Sequence, residues 1–136
     1  MIDWEKLSRA AQEARESAYA PYSKFKVGAA VLCADGSIIK GCNVENASFG
    51  LTNCAERTAL FAAVAQGKRD FSAMAIFADT EQPIAPCGAC RQVMAELAPQ
   101  MEVRLLSKSG KAVQMSASEL LPQGFDGSFL ETEEEE

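Results

Sequence analysis

Two short stretches carry residues that could build a hydrolytic metal centre: Cys54-Ala55-Glu56, and Pro86-Cys87-Gly88-Ala89-Cys90 further along. Cys87 and Cys90 are three apart, so one helical turn brings both sulfurs to one face. Two soft thiolates at that spacing favour zinc. A third ligand must come from elsewhere, and Cys54 opens the other long predicted helix. Unpaired N–H groups and the dipole at a helix start favour thiolate over thiol. Structural zinc sites close on four protein ligands, whereas catalytic ones stop at three and keep a place for water. The other cysteines, Cys33 and Cys42, fall in predicted strands and the chain has no histidine, so three ligands plus water is the simplest count. Zinc lowers the pKa of such a water towards neutrality. Three thiolates leave the centre net negative, which weakens it as a Lewis acid. Arg57 and Arg91, each directly following a motif, can withdraw that density as donors to sulfur. Glu56 is two residues from Cys54 and does not share its helical face, so it is a poor co-ligand. Near a helix end it can instead lean over the open position and move a proton.

Positioning these groups takes two helix starts and a scaffold beneath them. Asp3 can cap a first helix to about residue 18, with Trp4, Leu7, Ala11, Ala14 and Ala18 as its buried stripe. Pro21 breaks it. Residues 27–33 form an apolar run suited to a covered strand, Asp35-Gly36 marks a turn, and 38–44 is the returning strand. A helix over 54–66 follows, with Asn53 as its cap and Gly67 as its stop. Then come a strand at 73–78, a helix at 87–98 ended by Pro99, and strands at 103–106 and 112–115. Ser116 and Glu119 fit a capping box opening a short helix through 121. The order predicts an α/β fold: three α-β-α layers around a single mixed five-stranded sheet. One domain spans 1–130, and the acidic tail 131–136 is expected to be disordered.

Composition narrows the function. The chain has 136 residues, 48% of them hydrophobic, enough for one core. Its net charge of −6 is largely the five glutamates of the tail; the rest carries 14 acids against 13 bases. That near-neutral body has no electrostatic footprint for nucleic acid. No apolar run reaches the ~18 residues of a membrane span. The start lacks a basic stretch followed by an apolar one, so no secretory signal is expected. Five cysteines in such a chain point to reduced thiols or a metal site, and so to a cytoplasmic protein.

Five motifs in order resemble the small homotetrameric zinc-dependent cytidine deaminases. They are Tyr19-Ala20-Pro21-Tyr22-Ser23-Lys24-Phe25, Val27-Gly28-Ala29-Ala30, Gly41-Cys42-Asn43-Val44-Glu45-Asn46-Ala47, Cys54-Ala55-Glu56-Arg57-Thr58-Ala59, and Pro86-Cys87-Gly88-Ala89-Cys90-Arg91-Gln92. The general chemistry of such zinc deaminases is well known. The resemblance implies the cytidine deaminase-like fold. It also implies hydrolysis of cytidine and 2'-deoxycytidine to uridine and 2'-deoxyuridine plus ammonia, as in pyrimidine salvage. Cys54, Cys87 and Cys90 would hold Zn²⁺, and Glu56 would shuttle the proton from the zinc-activated water to N3 and then to the amine. Phe25 would pack near the pyrimidine, and Asn43 with Glu45 would bind the ribose hydroxyls. The Ala55 N–H and the Ala85 carbonyl would hold the base. Phe125 would enter a neighbouring subunit's site, making the active sites shared. Phe49 stands where the family often has tyrosine, so this chain lacks that hydroxyl.

Each residue also has a plainer reading. The cysteines could form a structural zinc site, Glu56 a solvated acid at a helix start, and Asn43 and Glu45 a strand end entering a loop. Phe25 and Phe125 could be core or interface aromatics, and the arginines surface charges. The rival functions are a deaminase of a cytosine nucleoside antibiotic, a nucleic-acid editor, and a non-catalytic zinc module. The 43–46 stretch favours ordinary nucleosides. Editors usually present His-x-Glu and need a cationic surface, which this chain lacks. An intact Glu56 and an open fourth position speak against the inert module.

Overall fold

The computed structural model describes residues 1–125 and 130. Helix α1, Trp4–Arg15, is capped by the Asp3 carboxylate, which accepts from the Lys6 N–H at 3.1 Å. Leu7, Ala11 and Ala14 are its buried stripe, and Trp4 lies under the Arg104 guanidinium at 4.3 Å. The helix stops short of residue 18. Beyond it the Tyr19 N–H donates to the Asn43 carbonyl, and the chain runs beside Val44 in a strand-like bridge. This extended course suits the residues ahead of Pro21.

All five expected strands form. They are β1 (Val27–Cys33), β2 (Ile38–Cys42), β3 (Phe71–Ala78), β4 (Glu102–Leu106) and β5 (Ala112–Ser116), in the order β2-β1-β3-β4-β5. Only the β3–β4 pair is parallel, so the sheet is mixed. The β1–β2 turn uses Gly36 at φ +91°, a conformation that favours glycine. Strand β2 ends before residue 44 because Val44 pairs instead with Tyr19 and Asn53.

Helix α1 covers one face of the sheet, where Leu7 and Ala11 pack with Ala30, Ala73 and Ala75. Helices α2 (Ala55–Ala65) and α3 (Gly88–Leu97) cover the other. There Ala59, Leu60, Cys90 and Met94 meet Val31, Met74, Ile76 and Val103, all buried. The short α4, Ala117–Leu120, opens on the expected capping box: the Glu119 N–H donates to Ser116 Oγ, and the Ser116 N–H to Glu119 Oε1. Two glycines set how closely helices approach. A Cβ at Gly28 would stand 2.0 Å from the Ala11 carbonyl oxygen, and one at Gly41 would stand 2.4 Å from the Ala59 nitrogen. Helix α2 can therefore lie directly on β2. Among the described residues, no helix is long and apolar enough to cross a membrane.

The helix starts differ from expectation by one residue. Cys54, not Asn53, is the cap of α2, extended at φ −79° and ψ 161°, and Cys87 caps α3 in the same way. Asn53 is drawn off by backbone pairing with Val44, while its side-chain amide donates to Thr58 Oγ1. The expected tail at 131–136 lies outside the described residues.

Candidate active site

The two cysteine caps and Cys90, in the first turn of α3, bring three sulfurs within 4.8 Å of one another. Cys54 Sγ is 3.6 Å from Cys87 Sγ, which is 3.4 Å from Cys90 Sγ. Sulfurs sharing one tetrahedral zinc at ~2.3 Å stand roughly 3.8 Å apart, so this donor set fits the metal in number, type and spacing. Cys54 has its thiol lowered to about 5, chiefly by a hydrogen bond with the Cys90 thiol and then by the Arg57 guanidinium. Cys90, buried and hydrogen-bonded to that thiolate, has its pKa pushed far up. Three neighbouring sulfurs resist joint ionisation, and a bound cation is what removes that resistance, with release of protons.

The two arginines part company. Arg57 Nη2 donates to Cys54 Sγ at 3.3 Å, while its buried Nε has no hydrogen-bond partner among the described residues. Arg91 turns to carbonyls, with Nε donating to Pro86 at 2.9 Å and Nη1 to Leu120 at 3.4 Å. It braces the loop ahead of Cys87 against α4. Thr58, which sequence reasoning passed over, donates to the Cys54 carbonyl at 3.0 Å and accepts from Asn53. Its place four residues after Cys54, one helical turn on, was the available signal.

Glu56 follows the Cys54 cap on α2 and is only 5% exposed. Burial pushes its carboxyl up to about 7, against the opposing pull of its own N–H. It lines a cavity of about 240 Å³ with Phe25, Asn43, Ala55, Ala85 and two of the cysteines, Cys54 and Cys87. Four of the expected substrate contacts are therefore together with the thiols. Glu45 lies next door, in a larger cavity of about 400 Å³ with Tyr22, Ser23 and Phe49. Thr52 lines both cavities. Phe125 is outside both: it is exposed, and its carbonyl accepts from Gln92 Nε2 at 2.5 Å.

The loop that carries Phe25 is gripped from the 43–45 stretch. Glu45 Oε1 accepts from the Tyr22 and Ser23 N–H groups at 3.0 and 3.1 Å, and Oε2 from the Ser23 hydroxyl. The Ser23 bond is the main cause holding the Glu45 carboxyl below its usual range. Asn43 Oδ1 accepts from the Val27 N–H at 2.9 Å, and Nδ2 donates to the Phe25 carbonyl at 2.8 Å. Between these grips Lys24 sits at φ 63°, a left-handed conformation costing about 1–2 kcal/mol for a residue with a Cβ.

Three thiols able to share a metal, beside a buried carboxyl and over one mixed sheet, have the donor set and neighbouring acid that a hydrolytic zinc site needs. Residues 1–105 match the cytidine and deoxycytidylate deaminase zinc-binding region, and the chain belongs to that family. It is 57% identical to the cytidine deaminase of Halalkalibacterium halodurans over 91% of this chain and 95% of that one. It is 52% identical to the cytidine deaminase of Sporosarcina psychrophila over 95% and 96% respectively. The crystal structure of cytidine deaminase from Burkholderia pseudomallei superposes with a TM-score of 0.88 at 57% identity, covering 92% of this chain and all of that one.

Proposed function

We propose that the protein is a cytidine deaminase that hydrolyses cytidine and 2'-deoxycytidine to the uracil nucleosides and ammonia. One observation carries the reading: a buried carboxyl, Glu56, lines the same cavity as two of three clustered thiols. Zinc held by Cys54, Cys87 and Cys90 would supply a Lewis acid and an acidified water. Glu56 then has two tasks. It takes a proton from the attacking water and passes it to N3 of the cytosine; it then takes the proton of the new C4 hydroxyl and gives it to the amine, which leaves as ammonia while the C4 carbonyl forms. Its burial suits a group that must both accept and return a proton near neutral pH.

Phe25 supplies the aromatic wall for the base, with the Ala55 N–H and the Ala85 carbonyl at its polar edge. Asn43 and Glu45 take the sugar hydroxyls. The Asn43 amide keeps a second N–H beyond the one given to Phe25, and the Glu45 carboxylate has lone pairs beyond its three bonds. Arg57 offsets thiolate charge at Cys54. A homotetramer with shared sites, into which Phe125 of one subunit reaches, is supported by large exposed apolar groups such as Phe49, Leu51 and Phe61. The reduced thiols support a cytoplasmic setting.

The test is ultraviolet monitoring of cytidine and deoxycytidine with zinc-loaded wild type and Glu56→Ala. Conversion by wild type and almost none by the variant is expected. Folded, zinc-loaded wild type that leaves both nucleosides untouched would overturn the reading and turn attention to modified cytosine nucleosides.

A further inference from the structure

We propose that Ser23 is a positioning residue for this reaction, its hydroxyl coupling the Glu45 carboxylate to the backbone of Phe25. The inference rests on the deaminase reading above. The hydroxyl works in both directions at once. It donates to Glu45 Oε2 and accepts from the Phe25 N–H at 3.0 Å. Glu45 meanwhile takes the Tyr22 and Ser23 N–H groups on its other oxygen, so the 22–25 turn wraps around one carboxylate. Lys24 adopts its left-handed conformation inside that wrap. On the far side Asn43 holds the Phe25 carbonyl and the Val27 N–H. Phe25 is thus held through its N–H by Ser23 and through its carbonyl by Asn43, and it lines the cavity that Glu56 also lines.

Ser23 itself lines the neighbouring cavity, with Glu45 and Phe49, and not the one that Glu56 lines. Without the hydroxyl, the Phe25 N–H loses its partner and one Glu45 oxygen loses its donor. The aromatic wall and the proposed sugar acceptor would loosen together. Binding would suffer while the proton transfers at Glu56 would not.

The experiment compares zinc-loaded wild type, Ser23→Ala, Ser23→Thr, Phe25→Ala and the Ser23→Ala/Phe25→Ala double variant. Ser23→Ala should raise KM for cytidine roughly three- to tenfold, as expected for one or two hydrogen bonds, with kcat within about twofold. Ser23→Thr, which keeps the hydroxyl, should restore KM. The double variant should bind better than the product of the two single effects would give, because Ser23 acts in part through Phe25 and in part through Glu45. Amide exchange at Phe25, followed by NMR in the same proteins, should quicken in Ser23→Ala. Additive effects of the two substitutions, or unchanged exchange at Phe25, would overturn the proposal. The exchange measurement needs no turnover, so an inactive wild type counts against the deaminase reading alone.

Discussion

The two ends of the cavity are built by different means. At the thiol end, Cys54, Glu56, Cys87 and Cys90 come from helix starts laid on the core, with Ala59 and Met94 of the same helices fully buried. At the aromatic end, Phe25 and its supports come from loops, several of them exposed, and are fixed by side-chain bonds to backbone groups. Packing holds the groups proposed to do chemistry, and hydrogen bonding holds those proposed to recognise the substrate. Reacting groups need placement within fractions of an ångström, which a close-packed core supplies. A recognition wall must admit and release a nucleoside, and hydrogen-bonded loops open at lower free energy than core elements do.

Substitutions at each end should therefore differ in kind as well as in size. Glu56→Gln should lower kcat by roughly 10²- to 10⁴-fold while zinc content stays whole. Loss of zinc in that variant would merge proton carrier and ligand set, and break the distinction. Arg57→Ala should weaken zinc binding by about 10- to 100-fold in chelator competition. Arg91→Ala, touching carbonyls and not sulfur, should change it less; an equal loss would show that loop bracing governs the metal as much as thiolate charge does. Phe25→Ala should raise KM roughly tenfold, in line with the loss of one base–aromatic stack, with a smaller change in kcat.

The smallest effect is expected outside both ends, at the β1–β2 turn. Lys68 Nζ lies 2.7 Å from Asp35 and, with Ser37, holds that carboxyl well below its usual value. A depressed folded pKa means the stabilisation is present above about pH 4, the unfolded value, and fades as pH falls through the folded one. Wild type should melt slightly above Asp35→Asn near neutrality, and the gap should close in acid, with cytidine turnover unaffected. A change in turnover would mean that the turn is not independent of the site.

The sequence was most readable where structure is local. Apolar runs, turn residues, caps and proline or glycine stops located all five strands and the long helices, and the Ser116–Glu119 pair marked its own helix. Boundaries slipped where distant partners intervened: Val44 left β2 to pair with Tyr19 and Asn53, and that pairing took Asn53 from the cap position. The grouping of the three thiols was legible because residue type, spacing and helix starts carry it. Arg57 and Arg91 looked alike, and the carbonyls of Pro86 and, far along the chain, Leu120 draw Arg91 away from sulfur. Ser23 was silent in the same way, since Glu45 meets it through the fold and not through helical or strand spacing.

Residues of an edge strand are commonly replaceable, and Gly41, although buried, belongs to one. Yet any side chain there would begin 2.4 Å from the Ala59 nitrogen and 2.6 Å from the Ala55 carbonyl oxygen. The strand acts as a spacer of fixed thickness under the start of α2. Adding a single carbon would lift the helix, and with it the first cysteine and the acid beside it. Replaceability in this protein therefore does not follow distance from the sheet's centre: at its margin, one position admits a single amino acid because the helix that opens on Cys54 rests directly upon it.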